Sequence, residues 1–359
     1  RQTMDSRIRG QSCPLCPEME SFSDVRDFRP EGDRLYSATH EEILGGCTTD
    51  VYFVKTRDVL RKSGKLATEV TAEIFARKNG VFAGLDEALL LLKGKDLAVE
   101  SLREGDPFGP KETLMRIQGS YELFGTYETV LLGMLASASA WATAAKACVE
   151  AARGKPVLCF GARHVHPSIA PVMERTAVRV GGCSGASCIL GAKLAGIEPV
   201  GTVPHAAVLI MGDTVDLAMA YDAEMPSGDP RIVLVDTFKD EAEESLRVAR
   251  ALGDKLSGIR LDTPGERGGV TPDLVREIRY RLDMAGFSKV RIIASGGLSP
   301  ERIRELDQAG ADSFGVGSYI SHADPIDMTM DIKEIDGEPV AKRGRLPGRM
   351  DNPRLTRVV

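Results

Sequence analysis

Residues 289–321 read KVRIIASGGLSPERIRELDQAGADSFGVGSYIS, and this stretch decides the fold. Val290–Ala294 is a short β-branched run, the mark of a buried strand. Ser295-Gly296-Gly297 follows it, and Ser299, Pro300 and Glu301 then open a helix as cap, first position and first-turn acid. The helical spacing of Ile303 and Leu306 fades at Gly310, and a second strand, Ser313–Val316, runs into Gly315-Val316-Gly317-Ser318. Two successive strands thus each end in a glycine loop. Glycine carries no Cβ, so its backbone N–H groups can approach a phosphate closely. In a βα-barrel the last two strand–loop units are the usual phosphate site. The plainer reading is two turns that need positive φ.

Working back from this stretch, short apolar strands recur between helical segments. They fall at Val157–Phe160, Ala177–Val180, Pro199–Val203, Ile232–Val235 and Gly258–Leu261. With the two above that makes about seven strands alternating with helices, which implies a parallel sheet and a βα-barrel, closed or incomplete.

The chain before it differs. Residues 1–33 are polar, with little periodicity, and read as a loosely ordered extension. Helices are expected at His40–Leu44, from Val51 through Leu60, at Leu85–Leu92 and across Tyr121–Ala152. Strands are expected at Ala67–Ile74, alternating with one face buried, at Leu97–Leu102 and at Thr113–Gln118. Asp331–Ile335, Asp336-Gly337 and Pro339–Lys342 read as a hairpin that returns to this first sheet. The expected class is therefore α/β, a C-terminal βα-barrel with an N-terminal α+β domain holding a small, mostly antiparallel sheet. The expected divisions are 1–33, 34–152, 153–328 and 329–359.

Bulk composition excludes several function classes. Aromatics are 5% and net charge is −6, which argues against nucleic-acid binding. The exception is a basic tail (Lys342, Arg343, Arg345, Arg349, Arg354, Arg357), read as a solvated face or a local phosphate contact. No apolar run reaches the ~18–20 residues of a membrane span. The odd cysteine count, 7, gives no disulfide framework and points to a cytoplasmic protein. Cys13 and Cys16 form a lone pair without the second pair or histidines that zinc needs.

The residues at or just beyond the end of each expected strand carry chemistry. They are Arg163 and His164 (with His166), Thr202 and His205, Asp236 and Thr237, Arg260 and Asp262, then Ser295, Gly296, Gly297, Gly315, Val316 and Gly317. In a barrel all of these gather at the C-terminal face, where active sites lie. Cations, imidazoles, carboxylates and glycine loops together suit a ligand with more than one phosphate and a divalent metal held by Asp236 and Asp262. Each aspartate is equally suited to capping a helix.

Residues 36–348 resemble the nicotinate phosphoribosyltransferase family, in its short branch. The likeness rests on residues 49–53 (TDVYF), 124–129 (FGTYET), 161–167 (GARHVHP), 201–205 (GTVPH), 235–238 (VDTF), 260–263 (RLDT), 295–298 (SGGL) and 314–317 (FGVG). The resemblance implies transfer of phosphoribosyl from phosphoribosyl pyrophosphate to nicotinate. It further implies His205, Asp262, Asp236 and Arg260 as catalytic groups, Asp50 and Tyr52 at the pyridine ring, and Mg²⁺ at the two aspartates. A homodimer in which Tyr52 crosses to the neighbouring site, and ATP as co-substrate through a phosphorylated His205, are implied as well. Quinolinate phosphoribosyltransferase, which shares the fold, is the alternative; it takes a dicarboxylate, releases CO₂ and needs further cations around the base. A flavin-nucleotide barrel oxidoreductase and a nucleotide binder without turnover are the remaining rivals.

Overall fold

The computed structural model describes residues 18–359; Cys13 and Cys16 lie outside the described residues. The chain divides into two compact units. One comprises the described residues up to Ser137 together with Ile326–Val359, and the other is Ala138–Pro325.

The first unit is built on a six-stranded antiparallel sheet. Its order is Glu338–Pro339, Met328–Ile335, Glu69–Ala76, Thr113–Ser120, Leu97–Ser101 and Thr356–Arg357. The hairpin expected at Asp336-Gly337 is present, with both turn residues at positive φ, 50° and 82°. That is the backbone a two-residue hairpin turn needs, and Asp-Gly supplies it at little steric cost. Its first strand pairs antiparallel with Glu69–Ala76, so the C-terminal segment does return to the first sheet.

The central strand departs from simple alternation. Ile74 and Ala76 are buried on one face, but Thr71 and Glu73 are buried on the other. The basic tail supplies the cover. Glu73 accepts from Arg116 Nε at 2.9 Å and from the Met350 amide at 3.1 Å. Arg345 pairs with Asp331, Arg349 with Glu334 and Arg354 with Glu112. These tail arginines are therefore matched to the carboxylates of this unit.

Two further differences lie in this unit. Residues 18–33, expected to lack elements, contain the helix Phe22–Asp27, capped by Ser21 and tied by the Phe22 amide to Asp58 at 2.8 Å. The long helix expected from Tyr121 begins only at Glu128, after two 3₁₀ turns, and runs to Ala151. Contrary to the expectation that no such run exists, it is long and apolar enough by length and composition to cross a membrane. Over Trp141–Ala152, however, it packs into the core of the second unit, which accounts for its apolar character.

The second unit holds an open sheet of six parallel strands, curled as an incomplete barrel. They are β1 Val157–Cys159, β2 Gly185–Ala186, β3 Arg231–Leu234, β4 Leu256–Leu261, β5 Arg291–Ser295 and β6 Ser313–Val316. Their order is β2-β1-β6-β5-β4-β3, with helices between successive strands. Val157, Ile259, Ile292, Phe314 and Val316 are buried in one core with helix residues such as Val248, Ile278 and Ile303. Each such side chain contributes about 1.5–3 kcal/mol on leaving water.

Two expected strands are corrected. Residues 177–180 end the helix Ala170–Arg179, where Ala170, Met173, Thr176 and Ala177 form a buried stripe of helical spacing. The β-branched Val178 and Val180 imitated a strand. Residues 199–203 form no strand; the Val200 amide reaches the Ala186 carbonyl at 2.9 Å. The strand at this place is β2, a glycine and an alanine with no β-branched signal.

Candidate active site

Parallel strands deliver their C-terminal ends to one rim, and here that rim surrounds a cavity of about 420 Å³. Phe160, Arg163 and His164 reach it from the loop after β1, and Ser187 from the turn after β2. Thr202 and His205 come from the following segment, Arg260 and Asp262 from β4, Ser295, Gly296 and Gly297 from β5, and Gly315, Gly317 and Ser318 from β6.

Arg260 is the organising cation. Its Nε donates to Ser295 Oγ at 2.9 Å and its Nη1 to Thr202 Oγ1 at 3.0 Å. Its Nη2 lies 3.7 Å from Asp262 Oδ2, and the guanidinium sits 5.1 Å over the Phe160 ring. Burial pulls its pKa below the usual arginine value while Asp262 and Asp236 oppose the shift. Ser295 relays the constraint: its hydroxyl is 3.0 Å from the Leu261 carbonyl and 2.9 Å from Asp262 Oδ1. Asp262 is thereby fixed with its second oxygen beside Arg260.

The glycines are required for two different reasons. Gly296 and Gly297 have φ of +95° and +62°, which residues with a Cβ rarely adopt. Gly315 and Gly317 have ordinary φ but no room. A Cβ on Gly315 would stand 2.5 Å from the Phe160 ring, and one on Gly317 would stand 2.7 Å from His164 Cε1 and 3.0 Å from the Phe160 carbonyl. Two bare backbone loops therefore face the cavity, as a phosphate cradle demands.

His205 opens the helix His205–Met211, and its Nε2 lies 2.9 Å from Asp236 Oδ2. Asp236 does not line the cavity; its side chain is 1% exposed and Oδ1 has no hydrogen-bond partner. Burial raises its pKa, and the bond to His205 opposes that rise. His164 is half-buried, 5.4 Å from the His322 ring, with Nδ1 unpaired. Burial, Arg163 and His322 all pull its pKa down.

The remaining expected residues fall elsewhere. Thr237 and Val316 do not line the cavity, and the Thr237 hydroxyl is buried without a partner. His166 is exposed and bonds Ser168 at 2.7 Å. Asp50 and Tyr52 belong to the first unit, where Asp50 accepts from the Thr129 hydroxyl at 3.0 Å and Tyr52 is half-exposed. Among the described residues no three His, Cys, Asp or Glu side chains converge as a metal-binding set. Phe160, Ser187 and Ser318 line the cavity and were not singled out from sequence. Phe160 carried a signal, since it ends an expected strand directly before Gly161.

Comparison with known proteins corrects the family. Residues 50–139 match the N-terminal domain of quinolinate phosphoribosyl transferase and residues 141–331 match its C-terminal domain. A crystal structure of nicotinate-nucleotide pyrophosphorylase from Pyrococcus furiosus is 44% identical, covers 88% of this chain and 82% of its own, and superposes with a TM-score of 0.84. A probable carboxylating nicotinate-nucleotide pyrophosphorylase of Methanothermobacter thermautotrophicus is 24% identical over 74% of this chain and 89% of its own length. Nicotinate phosphoribosyltransferase pncB1 of Mycobacterium tuberculosis is 29% identical over 83% of this chain and 74% of its own. The expected membership in the nicotinate phosphoribosyltransferase family is overturned by the two-domain match and the 44% identical structure. Most of the motifs that suggested it lie on the cavity rim. ATP coupling and a phosphorylated His205, which that resemblance implied, gain no support from these comparisons. Both matched domains run in order along the chain, and the second spans more than half of it, so the chain belongs to the quinolinate phosphoribosyltransferase family.

Proposed function

We propose that this protein is an enzyme that transfers phosphoribosyl from phosphoribosyl pyrophosphate to quinolinate, giving nicotinate mononucleotide, pyrophosphate and CO₂. One observation carries the reading: every residue lining the cavity lies within the span matched by the C-terminal domain. The quinolinate nitrogen attacks the anomeric carbon as pyrophosphate leaves with the bonding electrons. The carboxylate next to the ring nitrogen then departs as CO₂, and a proton takes its place.

In this reading the glycine loops at 296–297 and 315–317 hold the 5′-phosphate through backbone amides. Arg260 neutralises a neighbouring anionic group, and Arg163 and His164, on the loop beside Gly317, address the remaining negative charge. Asp262 faces the sugar, where positive charge develops. Magnesium fits at Asp262, because Mg²⁺ takes one or two carboxylates and completes its shell with substrate phosphate oxygens and water. When bound it would neutralise the departing pyrophosphate. A second copy that brings Tyr52 to the ring is part of this proposal. Co-refolding inactive Tyr52→Ala and Asp262→Asn chains tests it, with recovered activity expected and none counting against it.

The decisive assay supplies phosphoribosyl pyrophosphate and Mg²⁺ with quinolinate labelled in the 2-carboxylate. One labelled CO₂ per nicotinate mononucleotide is expected. Nucleotide formation from nicotinate with none from quinolinate overturns the reading.

A further inference from the structure

Glu174 is a carboxylate in an unusual place. It lies on the helix Ala170–Arg179, fully buried, and does not line the cavity. Among the described residues it has no ion pair, and hydrogen bonds hold it instead. Oε1 accepts from the Ala162 amide at 3.2 Å and from the Ser187 hydroxyl at 3.0 Å. Oε2 accepts from the Cys188 amide at 2.6 Å. Burial raises its pKa, and these bonds oppose the rise. An unpaired buried carboxylate costs several kcal/mol unless its oxygens are satisfied. A helix here could be held by an apolar residue at that position without any such cost.

Its partners belong to two separate strand ends. Ala162 precedes Arg163 and His164 in the loop after β1, and Ser187-Cys188 form the turn after β2. Arg163, His164 and Ser187 all line the cavity. The surrounding packing brings the helix close to both. A Cβ on Gly191 would lie 3.2 Å from Glu174 Cβ, and one on Gly161 would lie 2.7 Å from Met173 Cε. Those two glycines let the Glu174 turn of the helix press against the neighbouring helix and against the loop.

We propose that Glu174 is a positioning residue. It clamps the two loops at a fixed separation, so that Arg163 and Ser187 address one ligand together. This inference deepens the proposed function and rests on it for the identity of that ligand, here the pyridine carboxylate. A clamp with two acceptor oxygens is needed because both amides are donors. Glutamine offers one acceptor and turns an N–H donor toward the other amide, so it loses the bond from either Ala162 or Cys188. Leucine releases both.

The experiment compares wild type, Glu174→Gln and Glu174→Leu by amide hydrogen exchange without substrate and by steady-state kinetics. Exchange at Ala162 or Cys188 is expected to quicken at least tenfold in the glutamine variant, and at both in the leucine variant, with core amides such as Ile292 unchanged. The KM for the pyridine substrate is expected to rise about tenfold in Glu174→Gln, with kcat reduced less than threefold. A merely structural role would lower stability without that split. If Glu174→Leu does not fold, the isosteric Glu174→Gln decides alone. Wild-type exchange at both amides together with wild-type KM overturns the clamp. If wild type fails to use quinolinate but the variants show the exchange change, the clamp stands and only the substrate assignment falls.

Discussion

The imidazole of His205, at a helix start, and the carboxylate of Asp236, at the end of β3, meet at 2.9 Å, the first 38% and the second 1% exposed. The pair sets a cavity-lining ring on a buried anion. Burial raises the Asp236 pKa, so ionised Asp236 is held against an unfavourable environment. A raised folded pKa contributes stability that is full below the unfolded value and is lost as pH rises through the folded value.

Asp236→Asn should therefore leave the thermal midpoint at pH 7 unchanged or raised, since it removes a buried charge and keeps the shape. The imidazole loses the anion that orients it, and kcat/KM should fall about 10²-fold, in the range of positioned general acid–base groups. Thermal melts beside steady-state rates check both halves. A lower midpoint with unchanged rate would assign Asp236 to stability alone.

The glycine loops separate two kinds of substitution. Gly297→Ala meets open space and costs about 1 kcal/mol for its left-handed backbone. Gly317→Ala collides with the Phe160 carbonyl and the His164 ring. Both should weaken phosphoribosyl pyrophosphate binding, and Gly317→Ala should also displace His164. Calorimetric binding of the pyrophosphate substrate to each folded variant tests the cradle; unchanged affinity in both removes it.

Much of this rim was legible because its residues sit at or directly after the ends of apolar strands, as Arg260, Asp262 and Gly296 do. The glycine loops were legible for the same reason. What escaped has physical causes. Strand β2 is Gly185-Ala186, too short and too small to mark itself, so its turn residue Ser187 went unseen. Glu174 occupies a helix with two arginines, Arg175 and Arg179, and from sequence a buried glutamate reads like any other helical charge. The split between Asp236 and Asp262, one behind His205 and one on the cavity, depends on side-chain depth, which strand position does not report. Substrate choice was misread because the chain resembles both families along most of its length, 29% identical to one nicotinate phosphoribosyltransferase and 44% to one nicotinate-nucleotide pyrophosphorylase.

Arg260→Lys should abolish most activity with little change in stability. Lysine keeps the charge but cannot bridge Ser295 and Thr202 or lie over Phe160 as the planar guanidinium does. Losing charge-assisted bonds worth about 1.5–3 kcal/mol each lowers kcat/KM roughly 10²-fold. Activity within threefold of wild type would show that charge alone suffices at this position.

The first unit carries its own pH signature in Glu128. Burial, with Asp331 and Asp50 nearby, pushes this carboxyl up to about 7. All three residues belong to that unit. Glu128 in its neutral form contributes stability that is full below its ordinary value, near 4.5, and is lost as pH rises through about 7. A shift of that size corresponds to about 3 kcal/mol for a group fully shielded from solvent. Glu128 is only partly buried, so solvent screening reduces the effect to about 1 kcal/mol. Glu128→Gln keeps the neutral shape at every pH. It should leave stability unchanged at pH 4 and raise it by about 1 kcal/mol at pH 8. Denaturant unfolding of both proteins at the two pH values measures the difference. Equal stabilities at pH 8 would mean that the carboxyl ionises there at no net cost, with its charge reaching solvent despite Asp50 and Asp331.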